Sequence, residues 1–319
     1  DVPAMKAALV ERLRKAKADA VQDPIADSPL YTLVDGYPDK VDHSRTDTFR
    51  DEVRYAEEQK QRLAAARKQG ASALREVEAS LGDLAAIETG VLIDLLLSYR
   101  AAEAWKEMLA LVAKMPKPLT ATVLVREQWA FALNRDGQGE EAEKILRKLI
   151  EERGPSSETY GLLGRVYKDR WDAARKAGET LKARGVLEKA VEAYRKGFEA
   201  DWRDAYPGVN TVSLMEIKEP PDPRREEILP VVRYAVERKI AAGQPDYWDF
   251  ATRLELAVLA RDEAKATEAL SDALANIREP WEPRATLNNL RLIREAREHR
   301  GERAAFEREV ERALEQAGK

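Results

Sequence analysis

Arg135, Arg165 and Lys168, with Asn134 beside the first of them, have the types and spacing best suited to recognition chemistry in this sequence. Counted from the starts of two successive helical repeats, they fall with Glu127, Phe131 and Asp169 on outward positions of each repeat's first helix, the positions that line a concave wall. A guanidinium offers a planar fork of donors that suits a carboxylate. The set therefore predicts a groove for an acidic protein segment. The competing use is ordinary salt bridging between repeats, worth roughly 0–1 kcal/mol per exposed pair.

Catalytic chemistry is poorly provided for. There are two histidines, His43 and His299, and no cysteine, which removes His-based triads, multi-His metal sites, thiolate ligands and cysteine nucleophiles. Each histidine reads as a lone surface residue. Adjacent acids such as Glu140-Glu141 and Glu226-Glu227 diverge by about 100° around a helix and belong to a solvated face rather than to an acid/base pair. The expectation is a non-enzyme with no cofactor, and a carboxylate hydrolase is a remote alternative.

A second cluster, Arg170, Trp171, Arg175 and Lys176, mixes cations with a ring that would stack a base, so a nucleic-acid or nucleotide-binding helical solenoid is the alternative function. Asp169 and Asp172 weaken it. A net charge of −4 gives no global attraction to a polyphosphate. The longest apolar run, Val91 to Leu97 broken by Asp94, is far short of the roughly 20 residues that span a bilayer, so no membrane is expected.

The elements that would position these residues are helices. Charged residues make up 35% of the 319 and aromatics 7%, as expected where each helix buries one stripe and exposes the rest. Leu92, Leu95, Ala104, Met108, Leu111 and Pro116 recur about 38 residues later as Ala130, Leu133, Ala142, Leu146, Leu149 and Pro155. That order of small, large and proline positions is the tetratricopeptide (TPR) pattern. The fold class expected is all-α, a right-handed superhelical solenoid of TPR-like antiparallel helix pairs.

Three divisions are predicted. Residues 1–48 hold an opening helix (Met5, Leu9, Leu13, Ala16) and an irregular strap anchored by Leu30, Tyr31, Leu33 and Val34. Residues 49–84 form an atypical capping pair, starting with Thr48 and Asp51 as an acidic capping box. Residues 85–319 form the solenoid, with an insertion at 168–185, an irregular unit at 206–243 and capping helices at the C-terminus. The insertion delays Ala190, Tyr194 and Gly197 by about 14 residues, close to four helical turns, and so should lengthen both helices of its pair. Among the tryptophans, Trp105 and Trp129 are expected in the core. Trp171 is left between packing and contact, Trp202 and Trp248 are expected to brace the irregular unit, and Trp281 to fix the start of a helix.

The stretches Ser157-Glu-Thr-Tyr-Gly-Leu-Leu-Gly-Arg-Val-Tyr-Lys-Asp169 and Ala193-Tyr-Arg-Lys-Gly-Phe-Glu199, with Tyr247-Trp248, Leu256 to Ala266 and Trp281 to Ile293, resemble a narrower group. They are similar to the central regulatory region of the apoptosis signal-regulating kinases, the TRAF-binding domain of mitogen-activated kinase kinase kinases, which also occurs in bacteria. The resemblance covers roughly residues 88–295, including the position of the insertion. It implies a cytoplasmic signalling scaffold that binds a protein or peptide segment and regulates or positions a neighbouring domain. It does not imply kinase activity, since the sequence carries no Gly-rich phosphate loop, His-Arg-Asp or Asp-Phe-Gly. The start at Asp1 and the Ala- and Arg-rich composition lead us to expect a piece of a longer, bacterial protein, with an upstream domain of the same polypeptide as one possible partner.

Overall fold

The computed structural model describes residues 43–318 apart from Gln244 and Pro280, together with Ala7 and Glu11, with side chains from Tyr55 onward. The expected opening helix and the strap lie outside the described residues. Among those described, every regular element is helical, and the chain divides into two compact units, Asp1–Ala102 and Glu103–Lys319.

The first unit contains α1 (His43–Arg67), α2 (Ala71–Leu81), a 3-10 turn at Leu84–Ala86 and α3 (Thr89–Ala101). Helix α1 begins at His43, ahead of the Phe49 start expected from Thr48, because no proline or glycine between Val41 and Gly70 interrupts helical backbone. The three helices pack on one another through Leu63, Leu74, Leu81, Leu92, Leu95 and Leu96, all buried. Polar links tie the same helices: Arg67 Nη2 donates to Ser98 Oγ at 2.9 Å, and the Tyr99 hydroxyl to Glu78 Oε2 at 2.6 Å. The boundary of the unit falls inside the first of the two matched repeats, between Leu95 on α3 and Ala104.

The second unit is a helical solenoid. Its elements are α4 (Trp105–Lys114), the single turn α5 (Lys117–Thr120), α6 (Val123–Arg135), α7 (Gly139–Arg153), α8 (Ser157–Lys176), α9 (Thr180–Ala200), α10 (Ala205–Ile217), α11 (Arg225–Ala241), α12 (Tyr247–Leu259), α13 (Glu263–Ala275), α14 (Trp281–His299) and α15 (Ala305–Ala317). From α6 onward they pair in order, and each pair's first helix packs on the first helix of the next: α6 on α8, α8 on α10, α10 on α12, α12 on α14. These first helices form the inner row.

The repeat positions explain the pairing. Ala130, Leu133, Ala142, Leu146 and Leu149 are all buried, with alanines where the two helix axes approach and leucines filling the space beside them. Gly137 turns the chain between α6 and α7 at φ +82°, a left-handed conformation that costs glycine nothing. The pair in which the insertion is expected consists of long helices, of 20 and 21 residues. These two approach closely at Gly164, where a Cβ would stand 2.6 Å from Cγ of Tyr194.

Helix α10 is the exception to one-sided burial. Every residue from Pro207 to Glu216 is buried, Asn210, Thr211, Ser213 and Glu216 among them. A helix enclosed on all sides must sit centrally rather than as one layer of a wall. The contacts agree, because α10 touches α9, α11, α12 and also α14, skipping a pair. After α10 the prolines at 220, 221 and 223 hold an irregular connection, and α11 runs through Pro230 near its start. Asp246 then caps α12 in a reciprocal box with Asp249.

Candidate interaction wall

On the inner row between α6 and α8 the structure brings together five of the seven residues expected in the groove. Asp169 organises them: its Oδ2 accepts Asn134 Nδ2 at 2.7 Å and its Oδ1 accepts Arg165 Nε at 2.9 Å. Arg165 remains half-exposed with both Nη groups free of protein hydrogen bonds, and Asp169 keeps its guanidinium above the usual range despite burial. Arg135 is held differently. Its guanidinium lies 5.4 Å from the ring centre of Phe131 and 6.0 Å from that of Trp105, and these rings meet edge to face at 5.6 Å. No carboxylate pairs with it, and burial, then the nearby Arg165 charge, lower its pKa.

Lys168 faces the next helices. Its Nζ donates to Asn210 Oδ1 at 2.9 Å and to Asn289 Oδ1 at 3.0 Å, joining α8 to α10 and α14. Burial pushes its pKa down to about 8, opposed by Glu255. Glu255 on α12 is buried, accepts the Ser213 hydroxyl and Asn289 Nδ2 (3.3 Å), and is raised by its burial. Lys168 is thus a cross-brace between helices and stands apart from the five clustered residues.

Glu127 was expected on the open wall but is 8% exposed. It accepts the Thr159 hydroxyl at 2.6 Å beneath the start of α8, and burial raises its pKa. Its position near the start of α6 turns it toward the neighbouring pair instead of toward solvent. Tyr206 and Tyr194 were missed. Their rings meet edge to face at 6.0 Å; Tyr206 is 46% exposed, whereas the Tyr194 hydroxyl is buried without a hydrogen bond. Asn210, Ser213 and Glu255 were also missed, although polar residues interrupting the apolar runs of α10 and α12 were a usable signal.

The cations of the long hairpin are spent within the chain. Arg170 Nη1 reaches Glu143 at 2.5 Å, Arg175 Nη2 and Lys176 Nζ reach Asp172 at 3.0 and 2.6 Å, and Trp171 is 4% exposed with Arg175 lying over its ring at 5.7 Å. Trp105 and Trp129 are half-buried rather than core, since both lie at the margin of their helix stripes. Trp202 is exposed, so it does not brace the irregular unit, whose closure falls to buried α10. Trp248 instead stacks obliquely on Trp281, at the start of α14, with 5.6 Å between centres. His299 is exposed with Nδ1 3.4 Å from Glu219; the His43 side chain lies outside those described.

Beyond this wall, α10, α12 and α14 are locked by a second ionic cluster. Arg297, fully buried, donates to Glu216 Oε1 (2.8 Å), Glu307 Oε1 (2.7 Å) and the carbonyls of Val258 (3.1 Å) and Leu259 (3.2 Å). Glu216, equally buried, also accepts Arg300 at 2.9 Å and Arg225. Among the described residues, no group of three or more His, Cys, Asp or Glu side chains is arranged to hold a metal ion, and no helix is long and apolar enough to cross a membrane.

Comparison with known proteins places these observations in a family. The sequence profile of the MAP3K TRAFs-binding domain matches residues 2–312. Mitogen-activated protein kinase kinase kinase nsy-1 of Caenorhabditis elegans is 30% identical over 220 residues, 62% of this chain and 14% of that protein. Mitogen-activated protein kinase kinase kinase 15 of Mus musculus is 26% identical over 246 residues, 70% of this chain and 17% of that protein. The chain therefore spans a small part of these relatives. Among solved structures, a tetratricopeptide repeat protein from Parabacteroides merdae aligns at TM-score 0.44 and 12% identity, covering 84% of this chain and 99% of that one. A monomeric IFIT1 mutant with Gppp-AAAA aligns at TM-score 0.48 and 13% identity, covering 76% and 57%.

Proposed function

This chain belongs to the MAP3K TRAFs-binding domain family, and from that premise we propose that it is a non-enzymatic scaffold whose α6–α8 wall holds a segment of a protein partner. By doing so it regulates or positions a neighbouring signalling or effector domain, and it works in the cytoplasm. The observation that carries this reading is the pair of guanidiniums on the inner row that reach solvent, exposed Arg135 without a carboxylate and partly exposed Arg165 with both Nη groups unspent. The family description names TRAFs as partners, so a TRAF protein is the first to test, with a domain of the same polypeptide as the second.

Support for the alternative, a nucleic-acid or nucleotide-binding solenoid, is weaker. The hairpin cations that motivated it are each paired with a carboxylate, and the ring that would stack a base is buried.

The test is cross-linking mass spectrometry of the chain with a TRAF protein and with the intact parent polypeptide. Cross-links should cluster on α6 and α8, and the double charge reversal R135E/R165E should remove them while the circular dichroism spectrum is kept. A folded double variant that retains every cross-link would refute the assignment of the wall.

A further inference from the structure

The donors of this wall are counted and arranged for more than one carboxylate. Arg135 has five N–H groups and none is hydrogen-bonded to protein; Arg165 spends only Nε, on Asp169. Lys168 has two of its three donors engaged, by Asn210 and Asn289. The Tyr194 hydroxyl is buried with no hydrogen bond, in the field of Arg165, Asp169 and Tyr206, and the Tyr206 hydroxyl faces the same charges. Arg135, exposed, and Arg165, partly buried, repel one another across the wall. An anion seated between the guanidiniums would relieve their repulsion.

We propose that this wall is a receptor for a phosphorylated serine or threonine on the bound protein segment, Arg135 and Arg165 clamping the phosphate and Tyr206 donating to it. The inference rests on the scaffold reading above and specifies its ligand. The geometry favours phosphate over carboxylate because donors arrive from α6, α8 and α10, and a tetrahedral group with three free oxygens accepts from three directions where a planar carboxylate accepts in its plane. Asp169 serves as a positioning residue, holding Arg165 by its Nε edge so that the Nη edge faces outward. The acidic neighbours Glu103, Glu158 and Asp172 add negative potential near the cluster, which opposes an extended polyphosphate strand more than a single phosphate held between two guanidiniums.

Fluorescence anisotropy on the full chain tests this with three degenerate peptide pools that differ at one fixed position: phosphoserine, glutamate or serine. Phosphoserine should bind at least tenfold more tightly than either other pool, and inorganic phosphate should compete. R135Q and R165Q should each lower phosphopeptide affinity tenfold or more with the melting curve kept; R165K, which keeps the charge but loses the fork, should recover only part of it. Y194F, which removes a hydroxyl sealed beneath the wall, should fold normally and leave the preference for phosphate intact. Equal affinity for the three pools would overturn the phosphate inference, and so would an unchanged affinity in folded R135Q and R165Q. Tighter binding of 5′-phosphorylated RNA than of the phosphopeptides would overturn it too, in favour of a nucleic-acid site. Loss of TRAF or parent cross-links in R135E/R165E without any phosphopeptide binding would leave the scaffold standing and remove only the phosphate.

Discussion

The α6–α9 and α10–α15 regions of the second unit use one helix-pair frame for opposite ends. In the first, α6 and α8 lie side by side, and the cations facing the concave side reach solvent with donors unspent. In the second, α10, α12 and α14 converge, and the equivalent space is filled by the chain's own Glu216, Arg297 and Glu255. Burying an arginine costs several kcal/mol unless each donor is matched. Arg297 meets that condition with two carboxylates and two carbonyls, whereas Arg135 is exposed and lies over two rings. An interior arginine locks a structure; an exposed one without a carboxylate is available to something else.

The contrast breaks most sharply at Arg297. Substitution to Met strands Glu307 and two helix-end carbonyls in the interior, and should cost about 3–5 kcal/mol in urea unfolding. A loss below about 1 kcal/mol would mean that the cluster does not lock the second region. Next comes the close approach in the first region: G164A places a methyl against the Tyr194 ring, 2.6 Å from Cγ, and should cost about 1–3 kcal/mol by overpacking.

Two pH effects follow with opposite signs. Burial alone would raise the pKa of Glu302, but Arg261 and Arg300 hold it at about 2. Its contribution is therefore present above the unfolded value of about 4.3 and lost as pH falls toward 2. The urea midpoint of E302Q should depend less on pH over that window than that of the natural sequence. Lys168, lowered to about 8, behaves the other way: its burial penalty is full below pH 8 and fades between there and the unfolded value near 10.4, so K168M should flatten a rise in stability over that range. The smallest effect is expected at Arg135. Without a carboxylate to strand, R135Q should change stability by under about 1 kcal/mol, the worth of its ring contacts, and a larger loss would assign it to the scaffold instead of the wall.

The regular part of this architecture was legible because its contacts are local. Ala130, Leu133, Ala142, Leu146 and Leu149 announce a pair within one repeat, because helical spacing brings them to one face. The five wall residues that come together share the phase of two adjacent repeats, which the periodicity also carries. Convergence was not legible. The bond from Lys168 to Asn289 spans 121 positions and that from Arg297 to Glu216 spans 81, and no periodic count reaches so far. The run of buried polar residues in α10 was the available clue, since Asn210, Ser213 and Glu216 in an otherwise apolar helix need partners on more than one side.

The enclosure of α10 bears on how the molecule comes apart. In a linear array each repeat rests only on its neighbours, so unfolding can begin at a free end and proceed unit by unit. Here α14 rests on α10 as well as on α12, so releasing the last pairs uncovers the centre of the whole block. The region from α10 to α15 should open as one cooperative piece, with the slowest-exchanging amides in α10, and it should not survive removal of its final helices in the way a modular repeat protein would.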